Sequence, residues 1–516
     1  MIRARILSFA FPFLLLAGCA APTRPAGIAA PPSAVMTDTA GTSLGRTVAP
    51  HLSASAGESL FYPMPLGTEA FVARLGLARA AERSLDVQYY MIHADGTGLA
   101  LFRELLHAAD RGVRVRLLID DIHTEGEDGL LAALDAHPHI EVRVFNPFRH
   151  RSARWLDFLF DFRRVNRRMH NKSLTADNQA AIVGGRNVGD EYFAADSEVD
   201  FSDLDALAAG PVVPDVSAEF DRYWNSAVVW PITALMKSPP DAAAIRAQYD
   251  RLEHSIAVEK ETAYAKALPN LELVREIEAR RIASFRGTCT VIADPPEKVT
   301  QPVAESAHAV LRLTDIMAQA RSELLLVSPY FVPGRKGTQW LTALAQRGVK
   351  IRILTNSYLA TDVGAVHSGY MAYRPKLLVA GIELYELKAS AYQTLPHDAA
   401  LGDIGGSRAS LHAKTYLMDG KTIFIGSLNL DPRSARLNTE MGLVIDSPSL
   451  AQHFAARFDP HILDFAYRVE RRADGTTTWT TREKGKEVTV DAEPGVGPLK
   501  RLGLWLARVL PVEEQL

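Results

Sequence analysis

Two periods alternate along this chain. Ala70–Ala81 and Leu99–Asp110 carry apolar residues at helical spacing, and the second run is stopped by Arg111-Gly112. Leu85–Ile92 (Asp86 aside), Val113–Ile119 and Ile140–Phe145 are short apolar or alternating runs that predict strands. The order then repeats, with Leu324–Val327 as a strand, a helix running to Arg347-Gly348, Val349–Leu354 as a strand and Ile382–Leu387 as another. Arg111-Gly-Val-Arg-Val-Arg-Leu-Leu and Arg347-Gly-Val-Lys-Ile-Arg-Ile-Leu correspond at an offset of 236 residues. Such an order predicts an α/β fold with a mixed sheet, and its repetition predicts two similar domains that share one site at their interface. Val216–Trp224 and Ala242–Ile282 read as helices between them, Asn356–Tyr373 as a loop, Asp474-Gly475 as a hairpin turn and Pro498–Leu510 as a docking helix.

The chemistry concentrates in two hairpins. His170-Asn-Lys172-Ser-Leu-Thr-Ala-Asp177 precedes the turn Asp177-Asn178 and a returning strand Ala181–Val183, followed by Gly184-Gly185-Arg186-Asn187. Residues two apart on an extended chain share a face, so an imidazole and an ammonium project together. The device recurs 242 residues later as His412-Ala-Lys414-Thr-Tyr-Leu-Met-Asp419, with Asp419-Gly420 as the turn and Gly426-Ser427-Leu428-Asn429 after the return strand. One such motif is a weak signal; two in register, each with its glycine and asparagine, are a strong one.

Length and composition frame this reading. A chain of 516 residues favours two domains, and a net charge of −3 gives no case for nucleic-acid binding. Arg3 and Arg5 precede an apolar run, Ile6 to Leu16, which ends in Leu16-Ala17-Gly18-Cys19. This resembles a bacterial lipoprotein signal (residues 1–18), cleaved so that Cys19 is acylated; Ala20 in the next position leans towards the outer membrane. Only Cys289 would remain, so a disulfide within the chain is excluded. Residues 19–59, rich in Ala, Pro, Thr, Ser and Gly, read as a flexible tether, with folded domains over 60–284 and 285–470 and the hairpin and docking helix over 471–516.

The paired motifs resemble the H-x-K-x4-D signature of the phospholipase D superfamily. The flanks Gly184–Phe193, Phe201–Asp205, Thr355–Ser357, Thr361–Val363 and Asn429–Ser434 are similar to its bacterial cardiolipin synthase branch, the C-like lipoproteins in particular. The resemblance covers the chain from about Phe61 onward and implies two tandem phospholipase D-like α/β sandwich domains with one site between them.

Phosphodiester chemistry is mostly positioning and charge stabilisation. Lys172 and Lys414 would supply cations to the phosphate oxygens, and Asn187 and Asn429 neutral donors. The resemblance assigns His170 as a nucleophile forming a phosphohistidine and His412 as general acid and base; the residues alone are symmetric on that point. Each attacking nitrogen must be presented by holding the other. Asp203 and Glu440, each just before the strand that follows its own motif, suit that task, with Glu198 as an alternative to Asp203. Asp177 and Asp419 complete the signature but read as turn and scaffold residues. Neither a metal nor a cofactor is implied.

The segment Phe148–Arg168 interleaves seven arginines with Trp155, Phe158, Phe160 and Phe162. It suits the interface of a bilayer, or equally a surface helix whose aromatic face is core. Three activities fit the motifs: transfer of a phosphatidyl group onto phosphatidylglycerol to make cardiolipin, hydrolysis of phospholipid to phosphatidic acid, and cleavage of nucleic acid. An anchor and a near-neutral charge stand against the third. Phosphatidylglycerol and phosphatidylethanolamine are the expected lipid partners. His93, His107, His123, His137 and His139 show no partner pattern and read as surface residues.

Overall fold

The computed structural model describes residues 24–497 except 26, 53–56, 194, 196–198, 262–283, 394–407 and 459–460. Cys19, Glu198 and the stretch Pro498–Leu510 lie outside the described residues.

In the first half the strands Ser84–Tyr89, Arg114–Asp120 and Ile140–Phe145 run parallel. The hairpin Ser173–Ala176/Ala180–Gly184 joins them antiparallel, and Asp205–Ala209 and Ser59–Met64 extend the sheet beyond it. The second half repeats the plan: parallel Glu323–Val327, Lys350–Asn356 and Glu383–Leu387, then the hairpin Lys414–Met418/Thr422–Gly426, then Met441–Asp446 and Phe285–Ala293. Ser59–Phe61 pairs with Phe285–Gly287, so strand pairing continues from one half into the other. Both hairpin turns take the left-handed conformation that their residues predict, with φ of 51° at Asp177 and Asn178 and 52° and 60° at Asp419 and Gly420.

Apolar alternation decides where the cores lie. Helices Gly67–Ala80, Gly96–Asp110 and Asp128–Asp135 cover one face of the first sheet, with Leu85, Val87, Leu101 and Leu131 buried between them. A second core belongs to both halves: Ala181, Val183 and Ala206 of the first pack with Ile423, Ile425 and Leu443 of the second. The interface between the halves is thus itself a hydrophobic core.

Two expectations need correction. The segment from Arg24 to Leu52 is not a loose tether. It lies against the first half as a strap: Arg143 and Arg116 donate to the carbonyls of Pro31 and Ser33, Val35 N–H donates to Asp221, and Arg24 donates to the Val229 carbonyl. Composition misled here because the strap works largely through its backbone: the Pro31 and Ser33 carbonyls satisfy the buried guanidinium groups of Arg143 and Arg116, and Val35 N–H reaches Asp221. The stretch Asn356–Tyr373 is not a loop beyond its first residues, since Gly364–Val379 is a helix. Its glycines and Pro375 argue against a helix, but buried Arg374 ties it to Glu386 and Glu493, and His367 adds a bond to Glu493. The predicted C-terminal hairpin is present as Ala466–Arg471, Thr477–Glu483 and Lys486–Val490, and it extends the second sheet past Glu383–Leu387.

Deleting residues 24–42 should therefore destabilise the fold. Each buried donor left without an acceptor costs about 1–3 kcal/mol, so the loss should appear as a clear fall in the thermal midpoint. An unchanged midpoint would restore the tether reading.

Candidate active site

The two H-x-K motifs meet, and they do so by exchange. Main-chain pairing crosses between the halves on both sides: His170 N–H donates to the Thr439 carbonyl at 2.9 Å, and His412 N–H to the Ser202 carbonyl at 2.8 Å. The strand Val199–Ser202 runs parallel to Arg408–Leu411. Each histidine is thereby laid beside the chain segment that carries the other half's carboxylate.

The side chains follow. His170 Nδ1 donates to Glu440 at 2.9 Å, and His412 Nδ1 donates to Asp203 at 2.5 Å. The sequence reading named both acids but assigned each to its own motif; the structure crosses them. In both pairs the carboxylate fixes the proton on Nδ1, so Nε2 carries the lone pair or the transferable proton.

All six groups are buried. Burial pushes His170 down to about 4, against the pull of Glu440, and Lys172 and Lys414 push it in the same direction as burial. His412 is lowered as well, by burial first and then by Lys414, with Lys172 contributing. Both lysines are lowered by burial. Each histidine thus feels the lysine of both halves, as groups of a single site do. Burial opposes ionisation of Glu440 and Asp203, yet His170 with Lys172, and His412 with Lys414, hold them below the usual carboxylate range. These directions favour ionised acids and neutral imidazoles in the resting site. Lys172 donates to the carbonyl of His170 at 2.6 Å, and Lys414 likewise to that of His412.

Other assignments are placed as follows. Asp177 accepts from the backbone N–H groups of Glu82, Arg83 and Ser84, and Asp419 from those of Arg321, Ser322 and Glu323. Both bind the far end of a hairpin to the sheet and touch no reacting group. Asn187 donates through Nδ2 to the Tyr192 hydroxyl at 2.8 Å, while Oδ1 of Asn187 and of Asn429 is buried without a partner among the described residues. Turning the Asn187 amide by half a turn lets Tyr192 donate to Oδ1 and brings Nδ2 to the unpartnered position.

Several contributors escaped the sequence reading. Asp120 accepts from the N–H of Met169 at 2.7 Å, just before His170. Asn356 braces both the N–H and the carbonyl of Leu411, just before His412. The 236-residue offset that relates Arg111 to Arg347 also relates Asp120 to Asn356, a signal that was available. Aromatic rings wall the imidazoles: Tyr90 lies 5.0 Å from His170, and Tyr192 and Phe201 lie 5.2 and 5.3 Å from His412. His123 is exposed, as expected, but is not without a partner: it packs edge-on against Tyr90, and His93 lies beside it.

The glycines act asymmetrically. A side chain at Gly185 would meet Asp203 Oδ1 at 2.2 Å, so the first carboxylate reaches its histidine only because that position is bare. The corresponding residue of the second half, Ser427, donates its hydroxyl to Glu440, as does Ser434.

Paired imidazole–carboxylate dyads between two α/β halves, with a lysine beside each, define a phosphodiester-handling enzyme of the phospholipase D type. The family model described as "Cardiolipin synthase, PLD-like domain" matches residues 75–224 and again 313–462. The chain belongs to that family. It is similar to cardiolipin synthase C of Escherichia coli strain K12, at 44% identity over 91% of this chain and 99% of the relative. Cardiolipin synthase A of Pseudomonas entomophila is 25% identical over 86% of this chain and 73% of its own length. Among solved structures, phosphatidylserine synthase of Haemophilus influenzae superposes with a TM-score of 0.57 and 14% identity, covering 91% of this chain and all of that one, a likeness of fold.

Gly185→Ala should force Asp203 off His412. About a hundredfold loss of turnover is expected for such a misplacement, with near-normal folding by circular dichroism. Wild-type turnover in that variant would remove Asp203 from its role.

Proposed function

We propose that this protein is a phosphatidyltransferase that makes cardiolipin, passing a phosphatidyl group through a phosphohistidine to phosphatidylglycerol. The observation that carries the reading is the crossed pair of dyads with both lysines in one buried site. Membership of the family and the similarity to cardiolipin synthase C support it.

Neutral His170 attacks phosphorus through Nε2 while Glu440 takes up the charge that forms on the ring. The bond from phosphorus to the headgroup oxygen breaks, and His412 gives that oxygen its proton. The headgroup alcohol departs. The hydroxyl of an incoming phosphatidylglycerol then loses its proton to His412 and attacks phosphorus, breaking the bond to His170. Lys172 and Lys414 neutralise the phosphate oxygens at both stages. The arriving anion also favours the imidazolium that His412 needs. His412 suits the acid role because Asp203, unlike Glu440, accepts no hydroxyl donor among the described residues and keeps more charge for it.

Cys19 is proposed as a lipidated anchor facing the periplasm from the outer membrane, as its position after Leu16-Ala17-Gly18 suggests. Cys19→Ala should abolish both cleavage and outer-membrane fractionation. Normal fractionation of that variant would remove the anchor.

The acceptor is tested directly. Given phosphatidylglycerol bilayers, alone or with phosphatidylethanolamine, the enzyme should release glycerol or ethanolamine and yield cardiolipin, with phosphatidic acid a minor product. His412→Ala should accumulate a phosphatidyl group on His170, and His170→Ala none. Phosphatidic acid as the main product in every lipid mixture would make the enzyme a phospholipase D.

A further inference from the structure

The segment Phe148–Arg168, which leads into His170, has its polarity reversed. Four of its arginines turn inward. Arg151 and Arg154 pair with Asp121, and Arg151 also with Asp128. Arg164 donates to Asp161, Asn146 and the Pro147 carbonyl, and Arg168 pairs with Asp120. The large apolar side chains turn outward instead: Trp155 is 64% exposed, Leu159 64%, Phe160 76%, Phe162 46% and Phe158 41%. Water does not favour this arrangement, since apolar area of this size is normally buried while arginine is normally solvated. Both anomalies sit on one short element, and its buried ion pairs hold it in place.

Two further observations and the proposed substrate select the occupant. The element leaves the strand Ile140–Phe145 and ends at Arg168, whose carboxylate partner Asp120 also holds the Met169 N–H beside the catalytic His170. The apolar tip therefore belongs to the same segment that leads into the site. Arg149 and Arg163 are exposed at its edges and Arg167 is half-buried, which complements anionic headgroups. The proposed substrates keep two acyl chains in the bilayer while their phosphate must reach Nε2 of His170, and this last point rests on the function proposed above.

We infer that Trp155–Phe162 is an apolar wedge that enters the hydrocarbon edge of a phospholipid bilayer and holds the mouth of the site at headgroup depth. The acyl anchor would tether the protein near the membrane; the wedge would set orientation and depth.

The test uses the full chain reconstituted in phosphatidylglycerol–phosphatidylethanolamine vesicles that contain brominated acyl chains. Bromine should quench a component of tryptophan emission that is missing in Trp155→Phe. The triple variant Trp155→Ser, Leu159→Ser, Phe160→Ser should lose at least about tenfold of its turnover on bilayers, as lost apolar insertion predicts. On short-chain phosphatidylglycerol dissolved below its micellar limit, the same variant should match wild type. Quenching indifferent to Trp155 would overturn the wedge, as would equal losses on both substrates. Self-association through the patch, seen as a dimer by sedimentation that the triple variant abolishes, would overturn it too. The quenching result does not depend on the product formed, so failure of the transferase reading and failure of the wedge are separable.

Discussion

Everything in this molecule that handles phosphate depends on two imidazole–carboxylate bonds that cross between its halves. Docking of the halves buries a histidine and a lysine from each close together, and each half's carboxylate has its partner in the other. Such burial is costly without a countercharge. Docking solves both halves at once, because Glu440 reaches His170 and Asp203 reaches His412. The apolar core shared by Val183, Ile425 and Leu443 supplies the association that this exchange requires. A site assembled this way needs both halves, and one polypeptide holds them together.

The duplication is not perfect, and its departures fall on the carboxylates. The first half uses a shorter acid and a bare glycine that lets it approach. The second uses a longer acid and fills the matching position with Ser427. Hydroxyl donors spread the charge of Glu440, whereas Asp203 spends its charge on His412. A symmetric pair of histidines would compete for the same role. In the mechanism proposed above, unequal supports would let one ring work as a nucleophile and the other as a proton carrier, without any difference between the rings themselves.

Local devices were legible in the sequence because local rules produce them. The two hairpins, their left-handed turns and most strands and helices follow from alternation, Asp-Asn and Asp-Gly pairs and helix-stopping glycines. Glu440 was legible as an orienting acid, and so was Asp203, with Glu198 left as its alternative. Their crossing was not, since it depends on how two halves dock, and no spacing encodes that. The strap from Arg24 was missed because most of its work is done by main-chain groups, which every residue has. The helix Gly364–Val379 was missed because tertiary ion pairs through Arg374 outweigh the poor propensity of two glycines and a proline. The arginine- and aromatic-rich stretch before His170 reads from sequence as a bilayer-facing segment or as a surface helix with an aromatic core face; the fold turns the aromatics outward and four of the arginines inward.

That reversal bears on how such a site chooses an alcohol over water. Water outnumbers any lipid hydroxyl, so chemistry at phosphorus cannot supply the preference; access must. Tyr90, Tyr192 and Phe201 enclose the imidazoles with ring faces and edges rather than polar groups. If the rim beyond them rests in lipid, the open side of the pocket faces headgroups instead of bulk solvent. The walls would then exclude water from the sides and the bilayer from the mouth. Acceptor choice in this enzyme would be a property of the pocket and membrane together. The catalytic residues, common to transfer and hydrolysis alike, need not differ at all.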